Sequence, residues 1–202
     1  MKLLIATKNR GKVIELRSLL GAALKQSVEV LTLFDMPSVP EPEETGRTFE
    51  ENAKLKGLYY ADKFKMLCIA DDSGLAVEAL GGLPGVRSAR FAGENATDEQ
   101  NIAQLLGQLL GRPRPWMASF VCVAAAALPG RVIAQATGFV QGEIVPVPCG
   151  NDGFGYDPVF FVAEYGQTMA ELPLDVKNRI SHRGTAMRLL IDEMKRSGIL
   201  AI

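Results

Sequence analysis

Two acidic pairs in the sequence could hold a metal ion. Glu43 and Glu44 lie in a proline-rich loop, and Asp71 and Asp72 follow the apolar run 67–70. Prolines stiffen a loop and help to hold a carboxylate in place, although exposed acidic loop residues are also common. The ends of buried strands are favoured ligand positions in α/β sheets. Because neighbours in an extended chain point to opposite faces, we expect one aspartate to face a ligand and the other to make structural hydrogen bonds.

Residues 7–12 could bind an anion at the start of a helix. Asn9 stands in the cap position before apolar residues at helical spacing, and Lys12 lies one turn further along. Free backbone N–H groups and the positive end of the helix dipole attract anions there. The segment is not a Walker A loop, because no glycine precedes Gly11 at the required spacing and Val13 replaces serine or threonine. A plain helix cap with solvated lysines explains the same residues.

Two later segments combine polar and aromatic residues. Residues 150–158 hold a glycine-rich turn whose two aromatic rings, Phe154 and Tyr156, offer a flat surface on which a base can stack. A tight turn feeding a strand explains the glycines of this segment but not its polar and aromatic residues. Residues 177–184 contain Lys177 and the single histidine of the chain, His182, near a helix start. A solvated basic helix end is the simpler alternative for that segment.

The elements that must position these residues alternate between strand and helix in the first half of the chain. The predicted strands cover residues 3–6, 28–33, 67–70, 117–128, 132–145 and 159–162, the two long ones joined as a hairpin at residues 129–130. Helices are predicted after Asn9, after the capping-box residues Thr48 and Thr97, and over residues 183–197. This order indicates an α/β fold with a mixed sheet, flanking helices and one domain over residues 1–202.

Composition and charge narrow the possible functions. The 202 residues are 48% hydrophobic and 22% charged, enough for an ample core without disulfides. The net charge of -1 argues against binding to duplex nucleic acid but not against a small anionic ligand. Cys68 and Cys122 lie in apolar runs typical of buried thiols in a reducing cytosol. No run approaches the roughly 20 apolar residues of a membrane span or resembles a signal peptide, so we expect a cytoplasmic protein.

Six segments, in order, resemble the inosine triphosphate pyrophosphatase family, which also covers the bacterial dITP/XTP pyrophosphatases. They are residues 7–12, 43–46, 48–53, 70–75, 153–158 and 181–184. Each motif alone is weak to moderate, but six in the family's order cover nearly the whole chain. One departure is visible after the connector at residues 112–115, where relatives often have arginine and this chain has Trp116.

The resemblance implies an elongated α/β fold with two lobes around a central nucleotide-binding cleft, a homodimer, and Mg²⁺ as cofactor. It implies that Glu43 and Asp72 bind Mg²⁺ and that Asp72 is the base that activates water. The implied triphosphate contacts are Thr7, Lys8, Asn9, Arg10, Gly11, Lys12, Lys56 and Lys177. The other implied substrate contacts are Ser73, Phe154, Gly155, Tyr156, Asp157, His182 and Arg183.

The implied reaction is hydrolysis of damaged purine nucleoside triphosphates, those of inosine, deoxyinosine and xanthosine, to the monophosphate and pyrophosphate. Donors near His182 and Arg183 are expected to pair with the 6-oxo group, so that adenine leaves them unpaired. Two alternatives stay open: a pyrophosphatase acting on pyrimidine or modified thymidine nucleotides, and a nucleotide-sensing module without catalysis. A nucleic acid hydrolase ranks third because of the neutral charge balance. The pair Glu43 and Asp72 favours catalysis over sensing.

Overall fold

In the computed structural model, which describes residues 1–24 and 28–200, the chain forms a seven-stranded mixed sheet with α-helices. The strands are β1 (Lys2–Ile5), β2 (Glu29–Thr32), β3 (Leu67–Val77), β4 (Trp116–Leu128), β5 (Arg131–Ile144), β6 (Phe160–Val162) and β7 (Gln167–Thr168). The helices are α1 (Arg10–Ala23), α2 (Phe49–Phe64), α3 (Asp98–Leu109), α4 (Leu174–Ile180) and α5 (His182–Arg196). The order of strands across the sheet is β2-β1-β3-β4-β5-β6-β7.

The sheet is parallel at one side and antiparallel at the other. β1 pairs in parallel with both β2 and β3, so that Leu4 lies opposite Leu31 and Cys68. Parallel strands need a crossover connection, and α1 supplies it between β1 and β2. The connection that contains α2 takes the chain from β2 past β1 to β3. At the other side, β6 pairs antiparallel with β5 and β7. The predicted α/β class with a mixed sheet is therefore confirmed.

The chain divides into two compact units, and neither is one contiguous segment. The first unit consists of Met1–Asp72, Cys122–Gly138 and His182–Ile202, and the second of Ser73–Val121 and Phe139–Ser181. β3 continues from one unit into the other at the step from Asp72 to Ser73. The predicted single domain over residues 1–202 stays a prediction.

The core of the first unit lies on both faces of β1. Leu3 and Ile5 belong to a buried cluster with α1 and α5, where Leu16 and Leu190 are fully or almost fully buried. The intervening Leu4 belongs to a different cluster, with residues of α2 and β3. This division follows from the alternation of side chains along a strand. It places α1 and α5 on one face of the sheet and α2 on the other.

The core of the second unit contains Trp116. The Trp116 indole N–H donates to the Arg112 carbonyl at 3.2 Å, and the Arg114 guanidinium lies 5.3 Å from the ring centroid. The side chain is buried among residues of β3, α3 and β6. The residue that departs from the family pattern is thus a packing residue.

Several predicted helix starts are confirmed by their caps. The Asn9 side chain accepts from the Lys12 N–H, and Thr97 and Gln100 form a complete capping box. Thr48 also caps α2, but the Glu51 carboxylate accepts from the Arg47 N–H instead of completing the predicted box.

Other local predictions differ from the structure. β3 continues to Val77 instead of ending at residue 70, and the short elements α4 and β7 were not predicted. Cys68 and Cys122 are buried as expected, whereas Cys149 is exposed. In the described part of the chain, no helix has the length and apolar character needed to cross a membrane.

Candidate active site

Asp71 and Asp72 point to opposite faces of β3 and have different partners. The Asp71 carboxylate accepts from the Lys12 ammonium at 3.0 Å and from Arg183 Nε at 3.4 Å. The Asp72 carboxylate instead accepts from Asn52 Nδ2 at 3.1 Å and lies 3.3 Å from Lys56 Nζ. All of these residues belong to the first unit. The expectation that the two aspartates face different surroundings is confirmed.

Asp71 belongs to a buried charge cluster. Glu15 and Lys12 come from α1, Arg183 comes from the start of α5, and the guanidinium lies between Glu15 and Asp71. Burial alone would raise the pKa of Asp71, but the Lys12 and Arg183 cations outweigh it and hold this pKa well below its usual range. Burial likewise acts to lower the pKa of Arg183, and the Asp71 and Glu15 carboxylates raise it. The cluster has two positive and two negative charges and is internally neutral.

The position of Arg183 bears on its predicted role. Its side chain is 2% exposed, and both Nε and one terminal nitrogen are directed at carboxylates. Glu15 was not predicted from the sequence, although a glutamate three residues after Lys12 on the same helix face indicates a possible ion pair. Base reading by Arg183 stays a prediction. Any such role would act through a guanidinium that the protein already holds rigidly.

Asp72 lies in a site built by α2 and the acidic loop. Asn52 and Lys56 are one turn apart on α2 and therefore share a face. The Lys56 ammonium also pairs with Glu44 at 3.0 Å, so that it lies between two carboxylates. Burial raises the pKa of Asp72 against the opposing effect of Lys56. Burial lowers the pKa of Lys56, but the carboxylates of Asp72, Asp71 and Glu44 outweigh it, so this pKa is raised.

Glu43 and Glu44 occupy different positions in the acidic loop. Glu44 is partly buried and pairs with Lys56, whereas Glu43 is exposed and its carbonyl accepts from the Thr45 N–H. The structure therefore brings Glu44, the neighbour of the residue predicted from the resemblance, close to Lys56 and Asp72. The assignment of Glu43 as a metal ligand stays a prediction.

The carboxylates around Lys56 fit a divalent cation of the Mg²⁺ type. Mg²⁺ keeps several waters and is usually bound by one or two carboxylates together with substrate phosphates, not by a complete protein cage. Within residues 1–24 and 28–200, no group of three or more His, Cys, Asp or Glu side chains is arranged to hold a metal. Asp72 and Glu44 against one Lys56 ammonium leave one net negative charge. This donor set matches a cation that completes its coordination with water and substrate.

The first loop, residues 7–12, is organised mainly as a helix cap. Thr7 Oγ1 accepts from the Asn9 N–H at 3.2 Å, and Asn9 Oδ1 accepts from the Lys12 N–H at 3.0 Å. Lys8 pairs with Glu41, and the Arg10 guanidinium lies over the ring of Phe34. Lys12 is therefore the cation of this loop that reaches β3. Phosphate binding by Thr7, Lys8, Asn9, Arg10 and Gly11 stays a prediction.

The glycine-rich turn of the second unit is built around Asp157. This buried carboxylate accepts from the Phe154 N–H at 2.8 Å and from the Lys177 ammonium at 2.5 Å. The same ammonium lies 5.0 Å from the centroid of the Phe154 ring. Gly153 has φ +82°, and a Cβ there would collide with the Asp157 carboxylate. The turn thus brings together Phe154, Asp157 and Lys177, three of the predicted substrate contacts.

The two aromatic residues of the turn have different surroundings. Tyr156 is buried in the core of the second unit, and its hydroxyl donates to the Ser88 carbonyl at 2.9 Å. This corrects the expectation of two stacking rings, because a buried acceptor draws the Tyr156 ring inward and leaves Phe154 as the partly exposed one. The Gly155 N–H donates to Asp98 at 2.6 Å, a contact that was not predicted from the sequence. Asp98 directly follows the predicted cap Thr97, which was the available signal.

The remaining predicted contacts are His182 and Ser73, which belong to different units. His182 is buried at the first residue of α5 in the first unit, and Ser73 is partly buried in β3 in the second unit. Their contact with substrate stays a prediction, as do those of Gly155 and Tyr156.

Comparisons with known proteins agree with this architecture. The sequence profile of the Ham1 family matches residues 3–193. The dITP/XTP pyrophosphatase of Geobacter sulfurreducens is 47% identical over 199 residues, which is 98% of each chain. That of Geobacillus kaustophilus is 49% identical over 193 residues, covering 95% of this chain and 93% of the relative. The solved Staphylococcus aureus Ham1 protein is 40% identical with a TM-score of 0.84, covering 98% of this chain and all of the other.

Proposed function

The chain belongs to the Ham1 family, and on this premise we propose that it hydrolyses the triphosphates of inosine, deoxyinosine and xanthosine to the nucleoside monophosphate and pyrophosphate. The relatives named dITP/XTP pyrophosphatase support this substrate class because they match over almost their whole length. The observation that carries the proposal is the position of Asp72, a buried strand carboxylate beside Lys56 and Glu44.

We propose Mg²⁺ as the cofactor, held by Asp72 and one carboxylate of the acidic loop. When bound, Mg²⁺ offsets the negative charge of the triphosphate and orients its oxygens. The protein's own contribution is a rigid carboxylate. Asn52 donates to Oδ2 of Asp72 and Lys56 donates to Oδ1, so both oxygens are fixed relative to α2.

Asp72 then orients the attacking water and accepts its proton. Lys12 and Lys56 contribute positive charge near β3, and Lys177 contributes it at the glycine-rich turn of the second unit. In this proposal the Lys12 and Lys56 ammonium groups stabilise the pyrophosphate as it departs, since fixed charges act strongly where the leaving group becomes more negative. Phosphate binding by Lys177 stays a separate prediction. Phe154 offers the partly exposed ring for the base.

The first experiment is a panel of nucleoside triphosphates with Mg²⁺, assayed separately for pyrophosphate and orthophosphate. We expect pyrophosphate from the inosine, deoxyinosine and xanthosine substrates, and a kcat/KM for adenosine triphosphate lower by up to roughly 10⁴-fold. Thymidine triphosphate tests the pyrimidine alternative. Orthophosphate as the product from inosine triphosphate would contradict cleavage between the α and β phosphates.

The second experiment compares Asp72→Asn with wild type. The amide keeps the shape of the side chain but cannot accept the water proton, so we expect kcat to fall at least about 10²-fold. Nucleotide affinity, measured by calorimetry, should be retained. Unchanged turnover in Asp72→Asn would refute its role as base, and a wild-type protein that binds nucleotides without turnover would favour the sensing module.

The two neighbouring glutamates form a matched pair for the metal proposal. Because Glu44 already pairs with Lys56 beside Asp72, we expect Glu44→Gln to raise the half-saturating Mg²⁺ concentration by about 10-fold or more. Glu43→Gln is the comparison. It tests the assignment of Glu43 as a Mg²⁺ ligand, which the family resemblance implies. A larger effect at position 43 would reverse our choice between the two residues.

A homodimer and a cytoplasmic location complete the proposal. The family resemblance supports the dimer, and the scattered cysteines, which include buried Cys68 and Cys122, suit a reducing compartment. Gel filtration with light scattering measures the oligomeric state, and localisation of a tagged chain measures the cellular location.

A further inference from the structure

Asn52 is a fully buried polar residue whose side chain joins the acidic loop to Asp72. It lies in the first turn of α2 and is 0% exposed. Its Oδ1 accepts from the Gly46 N–H at 2.8 Å, and its Nδ2 donates to Asp72 Oδ2 at 3.1 Å. An amide is the side chain that offers an acceptor and a donor side by side. The two partners also fix its orientation, since an N–H requires the oxygen and a carboxylate requires the nitrogen.

The backbone of the loop approaches this amide closely. A Cβ at Gly46 would collide with Asn52 Oδ1 and lie 2.8 Å from the Glu51 Cβ. The next amide along, that of Arg47, donates to the Glu51 carboxylate. The end of the acidic loop is therefore attached to the first turn of α2 through two consecutive N–H groups. Glu44 precedes this attachment by two residues.

We propose that Asn52 is a positioning residue that holds the acidic loop and the Asp72 carboxylate at a fixed separation, so that the two carboxylate sources act as one cation site. The inference rests on the proposed function, because Asp72 and the loop are the parts to which that function assigns the cation. Each half of the amide has its own task. The oxygen fixes the position of the loop by accepting from the Gly46 N–H, and the nitrogen fixes the orientation of the Asp72 carboxylate by donating to it.

Two variants separate these tasks. Asn52→Asp keeps an acceptor for the Gly46 N–H but places a second carboxylate against Asp72, so we expect kcat to fall about 10- to 100-fold even at saturating Mg²⁺. Gly46→Ala keeps the Asn52 amide as a donor to Asp72, but its Cβ collides with Asn52 Oδ1 and pushes the loop backbone away from that oxygen. For it we expect the half-saturating Mg²⁺ concentration to rise about 10-fold, with kcat at saturation close to that of wild type.

Asn101 supplies a matched control in the second unit. It is also buried, accepts from the Ala92 N–H at 2.9 Å and donates to the Ala89 carbonyl at 3.2 Å. Asn101→Asp therefore makes the same chemical change to a buried bridging amide whose two partners, Ala89 and Ala92, belong to the second unit. We expect it to lower Tm without changing the half-saturating Mg²⁺ concentration. This comparison distinguishes positioning from a general loss of stability.

A measurement without turnover completes the test. A cation that binds the folded state raises Tm, so the rise caused by Mg²⁺ alone reports the site directly. We expect this rise to be reduced in Asn52→Asp and Gly46→Ala and kept in Asn101→Asp. If Asn52→Asp does not fold, Gly46→Ala alone decides whether the contact positions the loop or only contributes to stability.

The inference would be overturned if the folded variants at positions 46 and 52 behaved like the wild type. Their kcat, their half-saturating Mg²⁺ concentration and their Mg²⁺-induced rise in Tm would then all equal the wild-type values. A wild-type protein that releases no pyrophosphate would instead count against the proposed function, and the Tm rise would still test Asn52. A wild-type protein that releases no pyrophosphate and shows no Mg²⁺-induced rise in Tm would overturn both the proposed function and the inference about Asn52.

Discussion

Asp71 and Asp72 differ in the charges that surround them, although they are chemically identical neighbours. Asp71 lies between Lys12 and Arg183, which keep its pKa low despite burial. Asp72 has one cation, Lys56, shared with Glu44, and burial raises its pKa. The first is therefore a structural anion within a neutral cluster. The second is the carboxylate to which the proposed function assigns the cation.

The cluster around Arg183 gives a prediction for stability and for base selection together. Arg183→Ala leaves the Glu15 and Asp71 carboxylates buried beside one remaining cation, and removing one partner of a buried ion pair costs about 3–5 kcal/mol. We therefore expect a clear loss of unfolding free energy in urea. The ratio of kcat/KM for inosine and adenosine triphosphates should fall at a temperature where the variant is folded. A full preference for inosine would rule out base reading at this position.

The thiols give a prediction that is independent of the metal site. Burial raises the pKa of Cys122 to about 12 and also raises that of Cys68, whereas Cys149 is exposed. Since thiolate is the reactive form, we expect Ellman's reagent to titrate one thiol in the native protein and all three after denaturation. Cys149→Ser should abolish the native reaction. Fast reaction of a second thiol in the folded state would contradict this assignment.

Short helical spacings place several of the site's residues. On α2, the cap Thr48, the bridging Asn52 and the cation Lys56 are each four residues apart and share one face. On α1, Lys12 and Glu15 are three apart and join the same cluster. These spacings fix which side chains share a helix face. The distances from those side chains to residues of other elements depend on how closely the elements pack.

Gly138 tests this packing between elements. It lies in β5, and a Cβ there would collide with the His182 carbonyl and lie 2.5 Å from the Ala186 N atom at the start of α5. We expect Gly138→Ala to destabilise the protein by about 1–3 kcal/mol and to reduce activity, because the helix start that carries Arg183 must shift. Gly107, on α3, has open space around its Cβ position and is the control. Gly107→Ala should be neutral or stabilising by up to about 1 kcal/mol, as judged by Tm.

At the scale of the whole molecule, the assembly state is open to a direct measurement. The resemblance implies a homodimer, and exposed apolar residues such as Phe139 and Val147 are available on the second unit. We expect light scattering to give twice the chain mass of 21.8 kDa. The mass should not change with moderate salt if apolar contacts dominate the association. A mass of one chain at micromolar concentration would contradict the dimer.

Much of the architecture followed from local sequence. The caps at Asn9 and Thr97 and the hairpin at residues 129–130 were predicted and are confirmed, because each depends on neighbours within a few residues. The mixed sheet was predicted from the order of strands and helices along the chain and is also confirmed. Less local features were missed or changed. β3 runs past Asp71 and Asp72 because cations from distant elements satisfy both carboxylates, which a strand pattern in the sequence does not show.

By itself, the sequence determined the fold class, the family and the set of polar residues from which the site is built, since periodicity, caps and motifs are local. Only the tertiary structure decided how those residues pair. It joined Glu15 to Arg183 across 168 positions, chose Glu44 as the partner of Lys56, and turned the Tyr156 ring into the core. The physical reason is that a charge or an aromatic ring takes its role from neighbours in space, and these come from segments far apart in the chain.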